Sequence, residues 1–386
     1  YTLYGLPTAA ETQTSDLSGS FAVNQNGLYT ITVLDNRGRS AESSVLVNRI
    51  DRQGPMVTGI SVPSGWTNGE KTVTLQGLTD DLTPLYNTAG EVTGYDGSGV
   101  ASKYYKKLGS EDEIPITGST FAVPENGSYI LILTDQAGNQ TRQSFTVSGI
   151  DTAPPEVQLS EVPSRWQPKA EITLTLSDRD SGIGSVRTHF TSDNASYPTD
   201  GLTEHAAAES VTVSTASSSD RYLDYEVTDQ AGNVTRGFSG EIHADGTVPA
   251  IPTVTQAEGL ENQQEQAVLT VSAGTAGASG LTLWYAQNGG GYQQLDSDTL
   301  TLTETGTYSF KAVTGAGSES PVRTVTLHRV SFRSDGIDPL PHRLVLSGGT
   351  LTRTADPHRT GYTFTGWQKD GTAWDFIQPV TGDFTL

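Results

Sequence analysis

Residues 121–151 read FAVPENGSYILILTDQAGNQTRQSFTVSGID, and this stretch sets the fold class. Two runs of alternating residues flank the pentapeptide Asp135-Gln-Ala-Gly-Asn139. A period of two on either side of a short turn is the pattern of a β-hairpin. Within the turn, the Asp135 carboxylate can accept the backbone amide two residues on, which makes an Asx-turn. Gly138 then provides the positive φ that a four- or five-residue hairpin loop requires.

The hairpin recurs. FAVNQNGLYTITVLDNRGRSAESSVLVNRID (21–51) aligns with 121–151 without gaps. A looser copy, LDYEVTDQAGNVTRGFSGEI (223–242), repeats the pentapeptide as Asp229, Gly232 and Asn233. A fourth is TGTYSFKAVTGAGSESPVRTVTL (305–327). Across the copies Asn139 becomes Arg39 or Ser318, while Gly38 and Gly317 persist. The constant member is the glycine, so the pentapeptide reads as a structural turn rather than a catalytic or metal site.

Two further signatures recur in the same order. PSGWTNGEKTVTL (63–75) matches PSRWQPKAEITLTL (163–176) and opens a module. Ser98-Gly99-Val100, Ser181-Gly182-Ile183 and Ser279-Gly280-Leu281 each close a polar loop and open a strand, spaced by 83 and 98 residues. That spacing is the size of a β-sandwich of about seven short strands. Pro-rich joints fall at Gly54-Pro55, Pro154-Pro155 and Pro249-Ala-Ile-Pro252, and proline holds such joints extended. The expected fold is all-β: tandem β-sandwiches in an elongated array, then a small module at the C-terminus. The expected boundaries are 1–50 (the second half of a sandwich, its opening strands expected upstream), 51–150, 151–248, 249–328 and 329–386.

Composition agrees with short strands and polar turns. Of 386 residues, 34% are hydrophobic and 17% charged, and the net charge is −21. Such acidity disfavours nucleic acid and anionic membranes as partners. With no cysteine there are no disulfides, thiol nucleophiles or thiolate metal sites. The longest strongly apolar run, Ile130–Leu133, is far too short to span a bilayer. Any targeting segment is expected outside this sequence.

Catalytic signatures are missing: there is no GxSxG, HExxH, GxxxxGK or GxGxxG, and the six histidines lack ligand spacing. An enzyme is therefore not expected, and no cofactor except calcium. Calcium favours hard oxygen donors, and the loop SDRDSGIG (177–184) offers Asp178 and Asp180. A glycan site is the other candidate. WYAQNGGGY (284–292) sets Trp284, Tyr285 and Tyr292 beside a Gly-rich loop, where exposed rings could stack on sugars. Trp284 and Tyr285 are consecutive in a strand, so they point to opposite faces.

The ordered signatures resemble bacterial immunoglobulin-like repeats of large exported surface proteins, over roughly 1–328. The copy at 249–328 departs most, with Thr314 in place of the turn aspartate. Residues 330–386 resemble the Listeria–Bacteroides (internalin B-type) repeat. The resemblance rests on Asp356-Pro357, Gly361-Tyr-Thr-Phe-Thr-Gly-Trp367, Trp374-Asp375-Phe376 and Val380–Leu386. It implies a small β-grasp-like (α+β) module, a pattern that continues past Leu386, and a bacterial surface protein of the Gram-positive cell-wall type. Tyr362, Phe364 and Trp367 are expected in its core. Together these resemblances imply a monomeric, non-catalytic extracellular array, acting as a spacer or stalk and in adhesion, its partner a host or bacterial surface protein or glycan. The rival is an accessory carbohydrate-binding array of an exported glycoside hydrolase.

Overall fold

A computed structural model describes residues 2–5, 20–198, 200–338 and 340–386, the first four as backbone alone. The architecture is all-β, and from residue 51 to 328 it is built from three sandwich modules that each pair a three-stranded sheet with a larger one. The module at 51–150 is the clearest case. Lys71–Gln76 lies between Gly59–Ser61 and Thr120–Val123 in one sheet. The other sheet runs Gln140–Val147, Gly127–Asp135, Val100–Lys107, Ile114–Pro115. Alternation places Val73, Leu75, Tyr105, Phe121, Tyr129, Leu131, Leu133 and Phe145 in one buried cluster between the sheets. Burying each aliphatic side chain contributes about 1.5–3 kcal/mol.

The modules that follow repeat this plan. At 151–248 the sheets are Glu156–Leu159, Ala170–Ser177, Ser210–Thr215 and Thr203–His205, Ile183–Thr191, Tyr222–Asp229, Val234–Phe238. The first copy is one sheet of Thr2–Gly5, Gly27–Leu34 and Ser40–Val47, in the same strand order as their counterparts in the second module.

The C-terminal part departs from the expected partition. The strand Arg323–Phe332 runs unbroken through the 328/329 boundary. It pairs with Gly306–Thr314 of the fourth sandwich, then with Leu340–Leu346 and, in parallel, with Phe384–Thr385. Consecutive residues of Leu340–Leu346 serve two cores: Leu344 belongs to the sandwich cluster and Val345 to the C-terminal one. Among the described residues from 350 to 367 there is no helix, so this module is all-β as well. Trp367 is buried at 5% exposure and packs edge-on to Phe332 and Phe364. Tyr362 is not in the core: it is 66% exposed, with the Arg359 guanidinium 4.0 Å from its ring centroid.

Compact packing divides the chain into two units. One is Tyr1–Pro155 with Ser177–Gly184 and Thr228–Val234, and the other is the remainder. Two turn features position the site inside the first unit. The turn glycines Gly38, Gly138 and Gly232 have φ of 76°, 88° and 96°, as the hairpin reading requires. The Asn-Gly-x-Tyr signature has a separate task. Tyr29 and Tyr129 each donate a hydroxyl hydrogen bond to the carbonyl four residues upstream, at 2.9 and 2.8 Å. Asn26 and Asn126 accept the amides of Ile50 and Ile150, at 2.9 and 2.8 Å. The first two modules thereby fix the Ile-Asp dipeptide with which each ends.

Candidate metal centre

The Ile-Asp dipeptide lies where one module ends and the next begins. The Asp151 amide donates to the Thr67 carbonyl at 2.9 Å, which binds its backbone to the second module. Its carboxylate faces forward: Oδ2 accepts the Ser181 amide at 3.0 Å and Oδ1 the Ala153 amide at 3.0 Å. Asp51 acts alike, accepting the Ser98 amide on Oδ2 at 2.7 Å. In the second unit, the Asp245 amide donates to Gln167 O at 2.8 Å, and Asp245 Oδ2 accepts the Ser279 amide at 3.0 Å. The repeated Ser-Gly is therefore the receiving half of a fastening whose other half is the aspartate ending the module before.

The pentapeptide completes this arrangement. Asn139 donates its backbone N–H to Asp135 Oδ1 and its side-chain amide to Asp135 Oδ2, both at 2.7 Å, so the carboxylate closes the turn four residues on and not two, and the Ala137 amide donates instead to Ser98 Oγ at 3.1 Å. The Asn139 side-chain amide also reaches the Asp51 carbonyl at 3.2 Å, and Asn233 reaches the Asp151 carbonyl at 2.8 Å. The turn is thus also a clasp on the linker.

Two groups of three carboxylates result. Asp51, Asp80 and Asp135 bring one oxygen each to within 4.8 Å of one another, and so do Asp151, Asp178 and Asp229. Both groups lie inside the first unit. Asp80, Asp135, Asp151 and Asp229 are 5%, 2%, 3% and 3% exposed. Among the described residues, no lysine, arginine or histidine forms an ion pair with any of the six. Burial raises the Asp80 carboxyl above its usual range, and the charges of Asp51, Asp135 and Asp81 add to this against the opposing Gly99 amide. For Asp51 and Asp151 burial also acts upward, but hydrogen bonds from Thr83 and Ser98, and from Ser181 and Ala153, hold both below the usual value. Three hard oxygen donors without a counter-cation form an arrangement suited to a divalent ion such as calcium.

Of the calcium candidates in the sequence, Asp178 joins a triad. Asp180 lies outside it and only donates its backbone N–H to Asp178 Oδ1, at 3.2 Å. Asp135 and Asp229, read in the sequence as turn residues, also join the triads, while Asp51, Asp80 and Asp151 were hidden by sequence distance; the paired recurrence of Ile-Asp and the turn aspartate was the available signal. In the first copy the Asp35 carboxylate accepts the Arg39 amide at 2.9 Å and its guanidinium at 2.7 Å, so the arginine that replaces asparagine neutralises it. In the fourth, Thr314 Oγ1 accepts the Ser318 amide at 3.0 Å.

The glycan candidates do not share one face. Tyr285 turns to the core, its ring 6.4 Å from Phe310. Trp284 lies on the opposite face, paired across the strands with Lys311. Tyr292 lies beneath the Lys311 ammonium, 4.4 Å from its ring centroid. Lys71, buried, donates to the carbonyls of Pro63 and Gly65 at 2.9 and 2.7 Å.

Comparison with known proteins identifies the C-terminal segment. Residues 328–386 match the family model of the Listeria-Bacteroides repeat domain. No curated protein matches the chain. Among solved structures, a tetra-tandem repeat from the extending region of a large adhesion protein aligns at 14% identity, covering 78% of this chain and 82% of that one, with a TM-score of 0.29. The FN1–FN3 domains of chicken CNTN1 align at 14% identity over 71% and 98% of the two chains, with a TM-score of 0.24. The 47-kilodalton lipoprotein Tp47 of Treponema pallidum aligns at 10% identity over 78% and 87%, with a TM-score of 0.18. At these scores the fold assignment rests on this chain's own sheet topology.

Proposed function

We propose that the chain is a non-catalytic spacing section of an exported bacterial surface protein, which presents or separates binding elements elsewhere in the same protein. The observation that carries this reading is the recurrence of one fastening. At Asp51, Asp151 and Asp245, an aspartate ending one module accepts the backbone amide of the Ser-Gly loop in the next. A repeated tie between consecutive modules is what a spacer requires, because it sets a constant joint without a shared active site. The Listeria-Bacteroides repeat at the C-terminus supports the surface assignment. Small-angle scattering of the intact chain tests the reading. A single compact globule of this length has a radius of gyration of about 21 Å; a spacer should exceed it well, and a value near it contradicts the proposal.

A second reading, glycan binding, draws on Trp284, whose face of the sheet is separate from the core. A glycan array probed with the intact chain should register no saturable binding if the modules act as spacers. Binding that Trp284→Ala abolishes would favour the carbohydrate reading.

A further inference from the structure

The outer face of the third sandwich carries charges where the second carries aliphatic groups. In the strand Tyr222–Asp229, Leu223 and Val227 are core residues at 0% exposure, so Asp224 and Glu226 point to the other side of the sheet. Counted back from the turn aspartate, the same positions in the second module are Ile130 and Ile132. On the neighbouring strand Val186 is buried, which sends Arg187 and His189 to the outer face as well. Asp224 and Glu226 are nevertheless buried, at 0% and 3% exposure.

The segment between Ile183–Thr191 and Thr203–His205, described at 192–198 and 200–202, lies against this face. Tyr197, Pro198 and Leu202 are half-buried in an otherwise exposed run. The Arg236 guanidinium stands 5.3 Å from the Tyr197 ring centroid, and a Cβ at Gly201 would lie 3.5 Å from His189 Cδ2. The amides of Asp193 and Ala195 donate within the segment's own turn, to Thr191 Oγ1 at 3.4 Å and Asp193 Oδ1 at 3.1 Å. The Tyr197 hydroxyl is buried with no hydrogen-bond partner, so the segment is seated on the sheet without a polar anchor there.

The two carboxylates beneath it are not equally served. Glu226 forms ion pairs with Arg187 and Arg236, taking both Nε and Nη2 of Arg236 on Oε2 at 2.6 Å. Neither oxygen of Asp224 has a hydrogen-bond partner. Its nearest cationic group is His189, whose Nδ1 is 3.8 Å from Oδ2 and also lacks a hydrogen bond. The other charges near this face are Glu204, opposite Arg187 in register, and Asp193 on the segment itself. Burial raises the Asp224 carboxyl above its usual range, against the pull of His189, and the charge of Asp193 adds to the rise. A carboxylate so raised stabilises the covered face at low pH, and this contribution is lost as pH rises from the unfolded value through the raised one. A proton on His189 acts in the same direction, because it gives Asp224 the counter-charge it lacks.

We propose that this segment is a proton-operated strap, seated on the sheet while the His189–Asp224 pair holds a proton and released as rising pH removes it. Release opens a face bearing Asp224, Glu226 and the two arginines, so the third module presents charge at alkaline pH that it covers in mild acid. The second module, with isoleucines at the two positions, has no such response.

Solvent access of Tyr197 tests the strap, read by NMR on the intact chain with ring-labelled tyrosine and a soluble nitroxide. The Tyr197 signal is assigned by its loss in Tyr197→Phe. From about pH 5.5 to about pH 8.5, across the range in which histidine changes charge, its paramagnetic relaxation should rise at least about threefold. The signal of Tyr129, in the core of the second module, should not change. Asp224→Asn keeps the site neutral and should hold Tyr197 covered at both pH values. No rise at Tyr197, a rise shared by Tyr129, or a rise that persists in Asp224→Asn would overturn the proposal. His189→Gln is the second variant: without the counter-charge, release should begin at lower pH, and an unchanged profile would overturn the role of the pair.

Discussion

The junctions at Asp151 and Asp245 begin alike and end differently. Each aspartate is buried, each holds its backbone to the module behind, and each accepts the amide of a Ser-Gly loop ahead. At Asp151 two further carboxylates gather; at Asp245 a serine hydroxyl takes their place. Asp245 stands at about 2: burial pushes it up, but the hydrogen bonds from Ser279 and Thr247 outweigh that. One fold position is therefore satisfied by neutral donors in one module and left as a concentration of negative charge in another. Tandem modules can keep a shared fastening while their response to ions diverges.

The largest effect that would break the comparison belongs to Asp245. Asp245→Ala strands the Ser279 amide and hydroxyl and the Thr247 amide, and should destabilise the fourth sandwich by about 2–3 kcal/mol. In calcium-free buffer Asp178→Ala should lose far less in thermal denaturation, because it also removes a repelling charge. Equal losses would erase the distinction.

The pH dependence has a definite sign. The Asp245 carboxyl is depressed, so its stabilisation is present above the unfolded value and is lost as pH falls from about 4 through about 2. About 2 kcal/mol of urea stability should disappear across that window and be absent from Asp245→Asn. Asp80 is shifted the other way. Its contribution is present at low pH and lost as pH rises from its unfolded value through its raised one, a trend that Asp80→Asn should remove.

Thr314→Asp converts the third junction toward a triad. In chelator it should destabilise by about 1–2 kcal/mol through like-charge proximity. A neutral outcome would mean that Thr314 is not what spares this junction. The smallest change is where Asn48 and Tyr86 exchange two hydrogen bonds, the Asn48 amide to Tyr86 O at 2.8 Å and the Tyr86 amide to Asn48 Oδ1 at 3.0 Å. Asn48→Ala should weaken stability by about 1 kcal/mol or less. Its signature is faster exchange at the Tyr86 amide, with the core amides of Leu131 and Val73 unaffected.

Much of the fold was legible because period-two alternation and turn glycines are local signals. Tyr129, Leu131 and Leu133 face one core as their spacing requires, and Gly138 and Gly232 take the left-handed conformation. The unbroken strand at 323–332 was not legible, since nothing in its letters marks which neighbour each half pairs with. The site was legible only in fragments. Asp178 stood out because a second aspartate lies beside it, yet the neighbour that matters is Asp151, set by how the linker folds back. Asn139 read as a turn residue and is one, but its reach to the Asp51 carbonyl spans 88 positions and has no local signature. The aspartate at the same turn acquires its charge partners from two other loops, and the trace of this in the copies is the paired recurrence of Ile-Asp and the turn aspartate.

The central claim is that one fastening recurs at all three junctions, and amide exchange on the intact chain, resolved at Ser98, Ser181 and Ser279, tests it directly. With calcium present, each of these loop amides should exchange at least about a hundredfold more slowly than an unstructured peptide, as expected of donors held by buried carboxylates. Exchange at the unstructured rate at any one of the three would contradict the account.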